Sequence, residues 1–152
     1  MDEHTHSDTA NKPIILVIDD NMILLRTVKE MLESMFVVRI AKSTEQAIET
    51  FKAVVPHLIL LDYEMPEMNG EETLKLFRSY PQIKHVPIIF LTGSSDAKTV
   101  KKLLSLNPEG YVIKPAKKNI LIEHIRRVLF PEEFIEDEED ENDKKIEEII
   151  NS

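Results

Sequence analysis

The chain contains no cysteine. Neither a disulfide framework nor a zinc–thiolate site can be built from it, and a reducing compartment, the cytoplasm, is the expected location. The N-terminal stretch MDEHTHSDTA is acidic and polar, with no basic segment leading into an apolar run, so it is not a secretory signal. No apolar run extends beyond a handful of residues, which argues against membrane insertion. Positive charge is not in excess either. The net charge is −9, and residues 131–152 supply all of it, with eleven acids against two lysines. The rest of the chain is neutral, with seventeen acids and seventeen bases, and no basic stripe is interleaved with aromatics. Nucleic acid is therefore not an expected partner.

What is present is enough for one ordinary domain. The chain has 152 residues, 42% of them hydrophobic and 31% charged. Short apolar runs occur at residues 14–18 (IILVI), 37–40 (VVRI), 58–61 (LILL), 86–91 (VPIIFL) and 111–113 (YVI). The first, third and fourth are apolar almost throughout, as in central parallel strands covered on both faces. Pro87 stands at the start of its run, where a missing N–H does least harm. Between the runs, apolar residues recur at helical spacing. The stripes are Leu24, Val28, Met31, Leu32 and Met35; Ala47, Ile48, Phe51 and Val55; Leu74 and Phe77; Val100, Leu103 and Leu104; and Leu121, Ile122, Ile125, Val128 and Leu129. Ser43 with Gln46 three residues on is a capping-box signature for the second helix, and Asn107-Pro108 should end the fourth early. Strict alternation of five strands and five helices gives a (βα)5 chain: a doubly wound α/β domain, a parallel five-stranded sheet with helices on both faces. Residues 1–12 read as a disordered leader, 13–130 as the folded domain and 131–152 as an acidic tail too poor in apolar residues to fold alone. Within that tail, Ile146, Ile149 and Ile150 could form a short amphipathic turn.

In an open parallel sheet, ligands bind beyond the carboxyl ends of the strands. There the first run ends in Asp19-Asp20, the third in Asp62, the fourth in Thr92 and the fifth in Lys114-Pro115. Strand ends are polar in any protein, which accounts for one acid or one lysine. It accounts poorly for three carboxylates, a hydroxyl and an ammonium on one rim. Carboxylates about 4 Å apart repel by roughly 4 kcal/mol per pair at an effective dielectric near 20. One lysine is not enough to offset three acids. An all-oxygen set with few protein ligands favours Mg²⁺ retaining several waters, an ion used to neutralise a transferring phosphoryl group.

With these residues the chain resembles the response-regulator receiver domain of two-component signalling. The pieces are IILVIDDN with Asp19 and Asp20, LILLDYEMPEMNG with Asp62, PIIFLTG with Thr92, and GYVIKP with Lys114, in order over residues 13–130. The resemblance implies a flavodoxin-like strand order, 2-1-3-4-5. It implies that Asp62 accepts a phosphoryl group from a histidine kinase or histidine phosphotransfer protein and that contacts with a downstream protein target then change. Asp19, Asp20, Asp62 and the backbone carbonyl of Glu64 would hold Mg²⁺. Lys114 would pair with the phosphoryl oxygens and Thr92 would hydrogen-bond to one. Gly93 would leave room for the group, and Tyr111 would follow the movement of Thr92. The Lys114–Pro115 bond is expected to be cis. Glu64 departs from the common pattern by adding a negative charge two residues after the acceptor.

Other readings compete. A Mg²⁺-dependent phosphatase with an aspartyl nucleophile usually carries a second Asp two residues on, and that position is Glu64. A flavodoxin would need a phosphate-cradling first loop, where this chain has acidic Asp19-Asp20. The 22 residues after 130 are too few for a DNA-binding or enzymatic output domain, so the expectation is a regulator that is no enzyme beyond its own phosphorylation and slow dephosphorylation. A receiver piece of a larger hybrid kinase or regulator is the remaining alternative.

Overall fold

The five apolar runs become five parallel strands in a computed structural model that describes residues 12–134 and 149–150. They are β1 (Ile14–Ile18), β2 (Val37–Ala41), β3 (Leu58–Asp62), β4 (Ile88–Thr92) and β5 (Gly110–Ile113). The helices between and after them are α1 (Met22–Leu32), α2 (Thr44–Ala53), α3 (Gly70–Arg78), α4 (Ala97–Leu104) and α5 (Lys118–Leu129). The sheet order is β2-β1-β3-β4-β5, as the resemblance implied.

The side-chain alternation of each strand divides the core in two. Leu16, Ile18, Ile59, Leu61, Ile88 and Phe90 face α2, α3 and α4 through Ala47, Phe51, Leu74, Phe77 and Leu103. Ile15, Val17, Leu58, Leu60, Ile89 and Leu91 face α1 and α5 through Leu25, Val28, Leu32, Leu121 and Ile125. Strands β3 and β4 are buried along their whole length. Each fully buried side chain of this kind contributes about 1.5–3 kcal/mol, so the central strands are held firmly where they end at the rim.

Helix starts follow local polar chemistry. Asn21 Oδ1 accepts from the N–H groups of Ile23 and Leu24, Asn69 caps α3 through Glu72 N–H, and Asp96 caps α4 through Thr99 N–H. Ser43 caps α2 through Gln46 N–H as expected, but Gln46 Oε1 reaches back to Lys42 N–H, one residue before the cap. The fourth helix stops at Leu104, and the chain turns through Asn107 at φ 54, a left-handed conformation that asparagine tolerates.

Several expectations shift. The inward side of α1 is Leu25, Val28 and Leu32; Leu24 and Met31 are half-buried and Met35 is exposed. Val55 lies beyond α2 and is exposed, and Leu104 also faces outward. Strand β4 begins at Ile88, so Val86 and Pro87 precede it, and the Pro87 carbonyl accepts from Ile59 N–H. The tail is too poor in apolar residues to fold alone, and its first residues rest on the domain. Pro131–Phe134 forms a 3-10 turn in which Glu133 pairs with Arg126 and the Phe134 ring lies 4.5 Å from the Arg127 guanidinium. One acid of the tail, Glu133, and its neighbour Phe134 meet the arginines at the end of α5, a partner that composition alone does not reveal. The expected leader, apart from Lys12, and residues 135–148, 151 and 152 lie outside the described residues.

Candidate functional site

Asp19 follows β1, and its backbone N–H donates to the Ala41 carbonyl, extending the sheet by one residue. Its side chain is buried, and Asn21 N–H donates to its Oδ1 at 2.9 Å, so the residue that caps α1 also orients this acid. Asp20 is exposed. Asp62 ends β3 and is buried; its Oδ1 accepts from Glu64 N–H at 3.1 Å. Carboxylate oxygens of Asp19, Asp20 and Asp62 all lie within 4.8 Å of one another.

Lys114 enters this group from the end of β5. Its backbone N–H donates to the Thr92 carbonyl at 2.8 Å, and its bond to Pro115 is cis, as expected. Its Nζ donates to Asp62 Oδ1 at 3.0 Å and stands 2.7 Å from Asp19 Oδ2. The second contact is an ion pair, and the Asp19 Oδ2 that makes it is buried. Burial pushes the Asp62 carboxyl above the ordinary aspartate pKa, and the Asp19 charge adds to this. The Glu64 N–H and Lys114 oppose it without prevailing. Burial works against the Lys114 ammonium, but its contacts with Asp19 and Asp62 outweigh this and raise its pKa above that of an ordinary lysine.

These groups suit a hard divalent cation. Three carboxylates cluster together, Asp19 and Asp62 share a single ammonium, and Asp20 opens the cluster to water. An ion that takes oxygen ligands and keeps part of its hydration shell matches that donor set.

Thr92 ends β4 fully buried, and its hydroxyl is already engaged. It donates to Glu64 Oε1 at 3.0 Å and accepts from Ser94 N–H at 3.1 Å. The space beside Gly93 is bordered by the same carboxylate: a Cβ placed there would stand 3.4 Å from Glu64 Oε2. Tyr111 is half-buried in β5, level with Phe90, and packs on the α2–α4 side of the core. Of the expected residues, Asp19, Asp20, Asp62 and Lys114 come together directly, while Thr92 is tied to the Glu64 side chain.

Sequence reasoning missed two positions, Asn21 and Ser94, and noted the Glu64 charge without its bond to Thr92. Asn21 carries a recognisable signal, an asparagine immediately before a helical pattern. Ser94 and the Glu64–Thr92 bond depend on loop geometry, which has no signature of that kind. A further loop constraint is Gly70, where an added Cβ would stand 2.6 Å from Tyr63 Cδ2 and 2.8 Å from Phe90 Cε1. The Tyr63 and Phe90 rings meet edge to face at 5.3 Å, next to the acceptor strand.

Comparison with known proteins agrees with this geometry. A family model described as "Response regulator receiver domain" matches residues 15–126. The hybrid signal transduction histidine kinase D of Dictyostelium discoideum is 32% identical over 144 residues, 93% of this chain but 9% of that protein. A protein-glutamate methylesterase/protein-glutamine glutaminase of Trichodesmium erythraeum is 36% identical over 125 residues, 77% of this chain and 35% of that protein. The chain thus spans about a third or less of these relatives. Among solved structures, the chemotaxis protein CheY4 of Vibrio cholerae aligns with a TM-score of 0.72 and 25% identity, over 78% of this chain and 99% of that one. The BeF3-activated receiver domain of DrrB, from Thermotoga maritima, aligns with a TM-score of 0.69 and 26% identity, over 78% and 97%.

Proposed function

The chain belongs to the response regulator receiver domain family, and on that premise we propose that Asp62 takes a phosphoryl group from the phosphohistidine of a histidine kinase or histidine phosphotransfer protein, so as to change contacts with a protein target. The observation that carries this reading is the convergence of Asp19, Asp20 and Asp62 within 4.8 Å of one another, with the Lys114 ammonium against Asp19 and Asp62.

An Asp62 carboxylate oxygen attacks phosphorus, the P–N bond of the donor breaks and the imidazole leaves with its electron pair. Asp62 must be ionised to attack, and the Lys114 ammonium and Glu64 N–H stabilise that form. Lys114 already contacts Asp62 Oδ1 and is placed to follow the phosphoryl oxygens. Asp19, Asp20, Asp62 and the Glu64 carbonyl would hold Mg²⁺, whose contribution is to neutralise charge on the transferring group. Burial of Asp62 limits access for hydrolytic water. The protein's own chemistry is therefore positioning and charge compensation rather than turnover of a substrate. In the modified protein, Thr92 turns its hydroxyl to the phosphoryl group and Tyr111 follows.

Two charge-assisted contacts, from Lys114 and Thr92, supply a few kcal/mol at most. A full reversal of a 1:99 equilibrium takes about 5.5 kcal/mol. Modification alone thus shifts the population in part, and the target's own binding completes the change. The target is a protein, not nucleic acid, in line with a body of balanced charge. Among the described residues no helix is long and apolar enough to cross a membrane, and a cysteine-free chain suits the reducing cytoplasm. A receiver piece of a hybrid protein is a second reading, supported by the 144-residue match to a hybrid kinase.

The test is intact-protein mass spectrometry after incubation with acetyl phosphate. Wild type should gain one phosphoryl group when Mg²⁺ is present and little without it, and Asp62→Asn should gain none. Unchanged labelling of Asp62→Asn would remove the assignment.

A further inference from the structure

Thr92 has a single hydroxyl proton, and Glu64 holds it. The bond to Glu64 Oε1 is 3.0 Å, whereas the alternative acceptor, the Ser94 carbonyl, stands at 3.4 Å. Thr92 is fully buried, so the hydroxyl has no recourse to solvent. Glu64 is exposed and forms no ion pair with any cation among the described residues. Its carboxylate therefore lies beside Thr92 and Gly93 with no cation against it among the described residues.

We propose that the Glu64 carboxylate is a built-in competitor of the phosphoryl group for the Thr92 hydroxyl, holding Thr92 in the unmodified protein and raising the threshold for the switch. This rests on the acceptor role of Asp62 and names a regulator of that same site. One proton cannot serve two anions, and two anions on one hydroxyl also repel. The Glu64 main chain is anchored, because its N–H is bound to Asp62 Oδ1 at 3.1 Å. Release then requires only that an exposed side chain swing outward, which makes the competition reversible. Glu64 acts through Thr92 and is a positioning residue, not a catalytic one.

The competition is measured by titrating the full chain with BeF3 in the presence of Mg²⁺ and following the Thr92 and Gly93 amide resonances. Because a hydrogen bond to a charged group is lost from the free state, Glu64→Ala should bind the probe about tenfold more tightly than wild type, with Glu64→Gln between the two. The same Glu64→Ala change made in Thr92→Ala should gain about twofold or less, and in Thr92→Ser, which keeps a hydroxyl, it should gain about tenfold again. Equal affinity of Glu64→Ala and wild type would overturn the inference. So would an undiminished gain in the Thr92→Ala background, since the effect would then not pass through the hydroxyl. Failure of wild type to bind BeF3 with Mg²⁺ would overturn the acceptor reading itself, and the inference with it.

Discussion

Lys114 Nζ stands 2.7 Å from Asp19 Oδ2, a contact between residues that follow β5 and β1, with β3 and β4 lying between those strands in the sheet. The same nitrogen reaches Asp62 Oδ1 at 3.0 Å. One ammonium thus bridges two buried carboxylates whose oxygens lie within 4.8 Å of one another, where unscreened repulsion at an effective dielectric of about 20 is at least roughly 3.5 kcal/mol.

Removing that ammonium should expose the repulsion. Lys114→Ala is expected to lose about 1–2 kcal/mol of stability in metal-free buffer, less than for a fully buried pair because the lysine side chain retains 20% exposure. Saturating Mg²⁺ should recover much of the loss, because a divalent cation offsets the same carboxylates. Urea denaturation with and without Mg²⁺ measures both; a loss that Mg²⁺ leaves untouched would mean the ion does not sit among these acids.

Asp62→Asn should do the reverse. The raised pKa of Asp62, caused first by burial, means that the folded state binds its proton more tightly than the unfolded chain does. Its ionisation therefore costs stability, and the cost grows as pH rises through the unfolded and folded pKa values. At neutral pH without metal, Asp62→Asn should melt a few degrees above wild type, about what 1 kcal/mol produces in a domain of this size. The gap should narrow as pH falls and Asp62 takes up its proton, and also when Mg²⁺ is added. Thermal melts at several pH values follow it, and a variant less stable than wild type at neutral pH would contradict the stated sign.

How much of this was legible in the sequence depended on what fixes each feature. Strands β1, β3 and β4 could be read because both faces are buried, so nearly every residue carries the signal. The convergence of Asp19, Asp62, Thr92 and Lys114 could be read because parallel strands place their carboxyl ends on one rim. The phase of α1 was less clear: Leu24 and Leu25 are adjacent, about 100° apart on the helix, and only packing selects Leu25 for the interior. The Glu64–Thr92 bond depends on the path of the loop after β3, and no periodicity encodes that path.

Gly70 is one of the constraints on that path. A methyl group there meets Tyr63 Cδ2 at 2.6 Å, Phe90 Cε1 at 2.8 Å and Tyr63 Cα at 3.1 Å, and neither ring can retreat from a packed edge-to-face pair. Gly70→Ala should therefore cost about 1–3 kcal/mol, the usual range for overpacking. This outweighs the gain of up to about 1 kcal/mol expected from alanine in place of glycine in a helix. A lowered urea midpoint is the expected result, and a raised one would show that the loop yields more easily than its contacts suggest.

The acidic segment should matter to stability more than to phosphorylation. Its first four residues fold onto α5 through the Arg126–Glu133 pair and the Arg127–Phe134 ring contact, both at the surface. An exposed ion pair contributes about 0–1 kcal/mol and an exposed cation–π contact about 0.5–1 kcal/mol. A chain ending at residue 130 should thus be about 1 kcal/mol less stable than one ending at residue 134, which keeps both contacts. Both should label with acetyl phosphate and Mg²⁺ as the full chain does, because among the described residues none of the groups shown to contact Asp62 comes from beyond Lys114. Slower labelling of the longer truncate would mean that the acids beyond residue 134 act on the rim. Their charge would then have to be counted with that of Asp19, Asp20 and Asp62.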